Sequence, residues 1–142
     1  MTRLTGEELL RLPVRVQGVR LGRGVDVLLH PTDPRALGVD VLCRDERHRF
    51  LPLAAATVGQ RAIEVSSALV LLDLGDDSVY RLEARPLSRL RGTKVEGDAS
   101  LHDVVLGPGW AIVELVLDDG DCMTRVPLDG LVLPPHRARR SR

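Results

Sequence analysis

Four histidines, two cysteines and two clusters of aspartate are the side chains from which this chain could build a reaction or a metal site. His30, His48, His102 and His136, with Cys43 and Cys122, are scattered along the sequence. No two stand at the C-x-x-C or H-x-x-x-H spacings that bring nitrogen and sulfur donors onto one ion. Two cysteines are also too few for a disulfide framework, so they read as reduced, partly buried thiols. His102-Asp103 sets a base beside an acid, but neighbours in a strand face opposite sides of the sheet and cannot easily cooperate. Asp76-Asp77 and Asp118-Asp119-Gly120-Asp121 offer oxygen ligands for a divalent cation. The second cluster lacks the spacing and terminal Glu of an EF-hand, and Asp and Gly are what a hairpin turn with positive φ needs. Gly18-Val19-Arg20-Leu21-Gly22-Arg23-Gly24 has the glycines of a phosphate cradle, in a strand–turn–strand setting without the helix N-terminus that cradle requires. No nucleophile elbow surrounds Ser66, Ser67, Ser78, Ser88 or Ser100. These residues predict no catalytic site, no cofactor and no metal.

Charge and surface residues point instead to binding. The chain has 142 residues with 20 basic and 20 acidic groups. Arg137, Arg139, Arg140 and Arg142 crowd the last seven positions without an acid, which leaves residues 1–135 net acidic. Pro134 and Pro135 set this segment, residues 136–142, apart as a basic tail expected to be mobile. Arg85, Arg89, Arg91 and Lys94 make a second basic stretch, which Arg81 extends. Together the two could contact phosphate groups or an acidic partner surface, with salt-sensitive affinity. Aromatics are nearly absent, one each of Phe, Tyr and Trp, so single strands of nucleic acid find no stacking platform. The lone Trp110 follows Pro108 and Gly109 in a turn, and Trp is over-represented at interface hot spots; its alternative role is to cap the core.

The elements that must position these residues are mostly strands. Val14-Arg15-Val16-Gln17 alternates, and Val25–Leu29 follows a turn punctuated by Gly18, Gly22 and Gly24. Ala36–Leu42, Arg49–Leu53, Ala62–Val65 and Ala68–Leu72 complete the first half. Short strands separated by Gly, Pro and Asp turns indicate a small barrel or sandwich. Thr5-Gly6-Glu7-Glu8 is a capping-box pattern opening a short helix that Pro13 ends. Asp76-Asp77-Ser78 before Val79–Arg85, with Pro86 as the stop, predicts a second. The apolar run Ala68–Leu72 is far shorter than a membrane span, and Glu7 and Glu8 exclude a secretory signal at the first residues. A cytoplasmic protein is expected.

Landmarks recur in one order. Asp26-Val27-Leu28-Leu29-His30-Pro31 is echoed by Asp103-Val104-Val105-Leu106-Gly107-Pro108, and Val39-Asp40-Val41-Leu42 by Val113-Glu114-Leu115-Val116. Phe50-Leu51-Pro52-Leu53 is echoed by Val126-Pro127-Leu128, and Pro13-Val14 by Pro86-Leu87. The pattern reads as an internal duplication. At these residues the chain resembles the PRC-barrel family, in tandem. Leu21–Leu29, Val39–Leu42 and Phe50–Leu53 carry the first copy; Leu101–Val105, Val113–Leu117 and Val126–Asp129 carry the second. The second copy has Gly97-Asp98-Ala99-Ser100 where the family has a Leu-Gly pair.

The resemblance implies an all-β chain of two tandem small barrels with short helices, residues 1–74 and 75–135, packed with approximate two-fold pseudosymmetry. The same barrel occurs in the reaction-centre H subunit and in the C-terminal domain of RimM, and in bacterial and archaeal members that accompany transporters. The implied function is a non-enzymatic protein-interaction adaptor or assembly module. The alternatives are a ribosome- or RNA-associated assembly factor using the arginine tail, and a soluble regulator of a membrane transporter or energy complex. A protein partner through the Trp110 turn, ribosome or RNA contact through the tail, and a homo-oligomer are the associations expected.

Overall fold

The structure, a computed structural model, describes residues 3–74 and 83–128. It is mostly β, with curled, largely antiparallel sheets that form a half-barrel. The predicted helix over residues 79–85, the Asp76-Asp77 cluster and the basic tail lie largely or wholly outside the described residues. Among the described residues no helix is long and apolar enough to cross a membrane.

The first half opens with β1 (Leu4–Thr5) and helix α1 (Gly6–Arg11). The capping box closes as the sequence predicts: Glu8 N donates to Thr5 Oγ1 at 3.1 Å, and Thr5 N donates to the Glu8 carboxylate at 2.9 Å. Strand β2 (Pro13–Val16) turns through Gln17 and Gly18 into the long β3 (Val19–Leu29). Both turn residues have positive φ, 50° and 80°, the backbone of a tight two-residue hairpin whose twist matches its strands. β4 (Ala36–Cys43) and β5 (His48–Pro52) continue antiparallel from β3, and β8 (Leu72–Asp73) ends that side of the sheet. On the other side β7 (Ile63–Val65) runs parallel to β2, and β6 (Ala56–Val58) pairs with β7.

The second half repeats the sequence of elements. β9 (Arg85–Pro86) leads into helix α2 (Leu87–Leu90); β10 (Lys94–Glu96), β11 (Ala99–Leu106), β12 (Ile112–Asp118) and β13 (Met123–Pro127) follow as an antiparallel meander. Its registers match the first half pair by pair. Val27 faces Val39 as Val104 faces Leu115, and Gly38 faces Pro52 as Glu114 faces Pro127. The ladder β3–β4 is irregular between Gly24 and Asp26 and again between Leu28 and Leu29. The ladder β11–β12 is irregular at the equivalent places, between Leu101 and Asp103 and between Val105 and Leu106. A bulge adds local twist, so each long strand bends at the same two points.

The bend lets each long strand serve two partners on one edge. β3 pairs with β2 near its start and with β9 of the second half near its end, Leu28 facing Pro86 and Leu29 facing Arg85. β11 pairs with β10 near its start and with β1 of the first half near its end, Val105 facing Thr5 and Leu106 facing Leu4. Each half therefore lends the two residues before its helix to the other half's sheet.

One apolar core lies beneath this exchange. Leu9, Val14, Val27, Leu29, Val39, Leu51 and Ile63 from the first half pack in a single cluster with Leu87, Leu90, Leu101, Val104, Leu106 and Leu115 from the second. A smaller cluster holds Phe50 with Leu28, Leu74 and Ala84. The core is built from aliphatic side chains, as the scarcity of aromatics requires.

Three local expectations are corrected. Gly22 and Gly24 lie inside β3 and not in a turn: a Cβ at Gly22 would stand 2.4 Å from the Leu42 carbonyl oxygen, and one at Gly24 2.9 Å from Leu10 Cδ2. Close approach of neighbouring elements, not chain reversal, selects glycine there. Ala68–Val70 is a 3-10 turn capped by the Ser67 side chain, with Leu69 exposed, and only Leu72–Asp73 pair as strand. Pro86 is the N-cap residue of α2, the counterpart of Thr5 before α1, while the helix predicted ahead of it lies largely outside the described residues. The echo of Pro13 by Pro86 is therefore not a structural equivalence.

The exchange predicts that residues 1–74 expressed alone do not form a stable monomeric domain. β1 would lose its strand partner and half of the apolar cluster would face water, and a unit of this size has little core to spare. A cooperative urea transition from a monomer of that fragment would contradict this.

Candidate interaction surfaces

Two carboxylates tie the halves together. Asp103, in β11 and 2% exposed, accepts from the first free N–H groups of α1: Gly6 N at 3.1 Å to Oδ1 and Glu7 N at 3.0 Å to Oδ2. It also accepts from Val104 N at 2.8 Å, and Arg91 Nη2 stands 3.9 Å from Oδ1. Gly6 is required at this helix start, because a Cβ there would lie 2.6 Å from both Asp103 Oδ1 and Leu87 Cδ2. Asp26, the equivalent residue of β3, does the same for α2: it accepts from Ser88 N at 3.1 Å, from Ser88 Oγ, and from Val27 N at 2.9 Å. A negative charge against unpaired N–H groups at a helix start is favourable on both hydrogen-bonding and dipole grounds. The sequence marked both aspartates as landmarks but gave no sign that each reaches the opposite helix.

Asp26 lies in a cavity of 200 Å³ that also involves Asp40, Ser88, Arg89, Leu28 and Leu74. Asp40 faces Asp26 directly across the β3–β4 ladder and bonds His48 Nδ1 at 2.8 Å. Burial first, and the Asp40 charge last, push the Asp26 carboxyl above the usual carboxylate range, against the opposing hydrogen bonds of Ser88 and Val27. The Asp40–His48 pair is separated by eight positions in sequence, and only the β4–β5 hairpin reveals it.

The basic stretch does not form one face. Arg85 is 3% exposed, with Nε donating to the His30 carbonyl at 2.6 Å and Nη2 to the Asp33 carbonyl at 2.8 Å. Its burial lowers its pKa, opposed by Asp33. It holds the turn after β3 and is withdrawn from the phosphate-contact role its sequence neighbourhood indicated. Arg91 Nε donates to the His102 carbonyl at 2.9 Å, and Lys94 Nζ to the Asp98 carbonyl at 2.8 Å, so both fasten their own hairpin. Arg89 is exposed. Arg137, Arg139, Arg140 and Arg142 lie outside the described residues.

The Trp110 turn joins the turn that Arg85 holds. Pro108–Trp110 form a 3-10 turn closed by Trp110 N donating to Gly107 O at 3.0 Å. Arg35 bridges to Ala111, and Ile112 N donates to Pro34 O at 2.8 Å. Pro108 and Gly109 are exposed, while Trp110 is half-buried with its side chain against the core. Gly109 has φ 68° and Trp110 itself φ 62°, a left-handed backbone that a bulky residue adopts only at a cost of about 1–2 kcal/mol.

The Asp118-Asp119-Gly120-Asp121 cluster resolves into turn chemistry. Asp118 Oδ1 accepts from Gly120 N at 2.8 Å, and Asp119 Oδ1 from Asp121 N at 2.9 Å and Cys122 N at 3.0 Å. The bond from Cys122, then that from Asp121, lowers the Asp119 pKa. Among the described residues no three His, Cys, Asp or Glu side chains converge as a metal site. Both cysteines are free; Cys43 is buried, but Cys122, expected to be partly buried, is exposed in the β12–β13 turn. No protein-family model matches the chain, and no curated protein matches it.

Asp103→Ala is expected to destabilise the fold by about 2–4 kcal/mol, because it leaves buried N–H groups of α1 without an acceptor. Asp26→Ala, at a less buried site, should cost about 1–2 kcal/mol in the same urea titration. The reverse order would contradict the reading of these sites. The raised Asp26 pKa means that the folded chain holds this proton more tightly than the unfolded one. Its contribution to stability is therefore largest at low pH and declines as pH rises through the carboxylate range. Wild type should lose stability relative to Asp26→Asn over that window, and a wild type that holds or gains stability relative to the variant as pH rises would refute the shift.

Proposed function

We propose that this chain is a non-enzymatic protein-interaction adaptor, built as a PRC-barrel-like duplication whose two copies exchange their helix-entry strands. The Trp110 turn carries the reading. A bulky aromatic is held in left-handed backbone between two exposed turn residues and a half-buried edge, where a smaller or more flexible residue would be less strained. Strain of this kind persists where the surrounding structure holds it, and it clusters at functional positions. Pro108 and Gly109 offer a rigid, exposed approach to the indole, the residue type that dominates binding hot spots. The matched registers and bulges of the two halves support the duplication.

The test is an affinity capture from the native host by the full chain and by Trp110→Ala, at low and at moderate salt, with the thermal melts of both proteins. One protein retained at both salts by wild type and lost by Trp110→Ala, with little change in melting, is the expected result. Retention by the variant, or lost binding that merely follows a large drop in stability, would sink the reading. Recovery of ribosomal proteins at low salt alone would move the assignment to RNA-associated assembly through the tail arginines. Association with membranes that detergent releases would move it to regulation of a transporter or energy complex.

A further inference from the structure

We infer that Arg20, Arg23 and Arg44 form a carboxylate-binding cleft that takes a short acidic segment of a partner protein. The biological meaning of this cleft rests on the adaptor reading, but the site stands on its own geometry. It lies at the opposite end of β3 and β4 from the turns that meet Trp110, and its space measures 410 Å³.

A bulge creates it. In the β2–β3 hairpin Val14 faces Gly22 but the next residue, Arg15, faces Arg20, so Leu21 is the extra residue in β3. In a regular strand Arg20 and Arg23 would point to opposite faces; the bulge turns them to the same one. Val14 is fully buried, so this shared face, opposite Val14, is the outer one. Arg23 faces Leu42 across the β3–β4 ladder, and Arg44 follows two positions later, anchored by its N–H to the Leu21 carbonyl at 3.2 Å. Gly22, Leu42 and Cys43 complete the lining of the cleft.

The charges in the cleft are uncompensated. Arg11, Arg35 and Arg49 each meet a carboxylate, those of Glu7, Asp33 and Asp45. Among the described residues, Arg20, Arg23 and Arg44 have no such pair within 4.0 Å, and all three are exposed. Arg15 stands directly across from Arg20, a like-charge pairing that costs stability in a sheet. Its other neighbour in register is Glu64 of β7, on the far side of β2 from the cleft. Next to Arg44, Asp45 is engaged by Arg49, while Glu46 stands exposed in the turn. A fold that sets like charges together by a bulge, and gives them no counter-ion, presents a site for an external anion.

The chemistry selects a carboxylate-bearing peptide. Guanidinium forks bind carboxylates through paired, charge-assisted hydrogen bonds. Three forks around one cleft match a short run of Asp or Glu. The cleft lining contains no aromatic ring, and of the described aromatics Phe50 is buried and Trp110 belongs to the opposite end. Nucleic-acid strands would find phosphate contacts there but no surface on which bases could stack.

The probe is a fluorescein-labelled octaglutamate peptide, titrated by anisotropy with the full chain at low and moderate salt. Binding is expected to weaken with salt, and to fall by at least about tenfold in the Arg20→Ala/Arg23→Ala/Arg44→Ala variant. Arg125→Ala, which removes an exposed arginine of β13 in the other half, should leave it unchanged. Unaltered melting of the triple variant separates loss of the site from loss of the fold. Absence of peptide binding, equal binding by the triple variant, or tighter binding of a single-stranded oligoribonucleotide at the same arginines would overturn the inference. If the octaglutamate does not bind but a host protein is still captured through Trp110, this inference falls and the adaptor reading stands. If the peptide binds but no host protein is captured, the adaptor reading falls and the cleft stands.

Discussion

The fold depends on one interaction made twice: a strand aspartate that accepts the unpaired N–H groups at the start of the other half's helix. Asp103 meets Gly6 and Glu7, and Asp26 meets Ser88. Short helices such as α1 and α2 have little stability of their own, since most of their backbone groups are terminal. The carboxylates supply acceptors and charge at the place where the helices need them. They do so from bulged strands, so the bend in β3 and β11, the seating of the helices and the pairing of β1 and β9 are parts of one arrangement.

The two sites share geometry but not environment. Asp103 is sealed, has Arg91 near it, and sits where Gly6 leaves no room for a larger residue. Asp26 borders a cavity, faces Asp40 across the ladder, and has a raised pKa. One is a rigid structural bond. The other is a carboxyl that burial pushes towards its protonated form and that borders open space. The last described strand of the second half, β13, is largely exposed.

Much of this was legible in the sequence where local rules decide the outcome. The alternating Val and Leu of β2, β4 and β12, the capping box at Thr5 and Glu8, and the paired Asp landmarks all have signals within a few residues. The exchange of β1 and β9 had none, because two-residue strands carry no period and their partners lie far along the chain. Gly22 and Gly24 read locally as turn residues, yet the reason for glycine is the Leu42 carbonyl and the Leu10 side chain, which only tertiary structure brings near. Arg85 read as part of a basic surface because its acceptors are backbone carbonyls, which leave no acidic partner in the sequence to announce a buried guanidinium. The arginine cleft was hidden for a related reason. Arg20 and Arg23 are spaced for opposite faces, and only a bulge at Leu21 reconciles them.

The reciprocal strand exchange also has a consequence for the two lent strands themselves. An element lent to a neighbour is ordinarily the start of domain swapping, in which one chain's loan is met by the next and an open series can grow. Here lender and borrower are halves of the same chain, and both loans are returned within it. The exchange is closed at a single molecule, so this particular interface leaves no free end from which a swapped polymer could propagate.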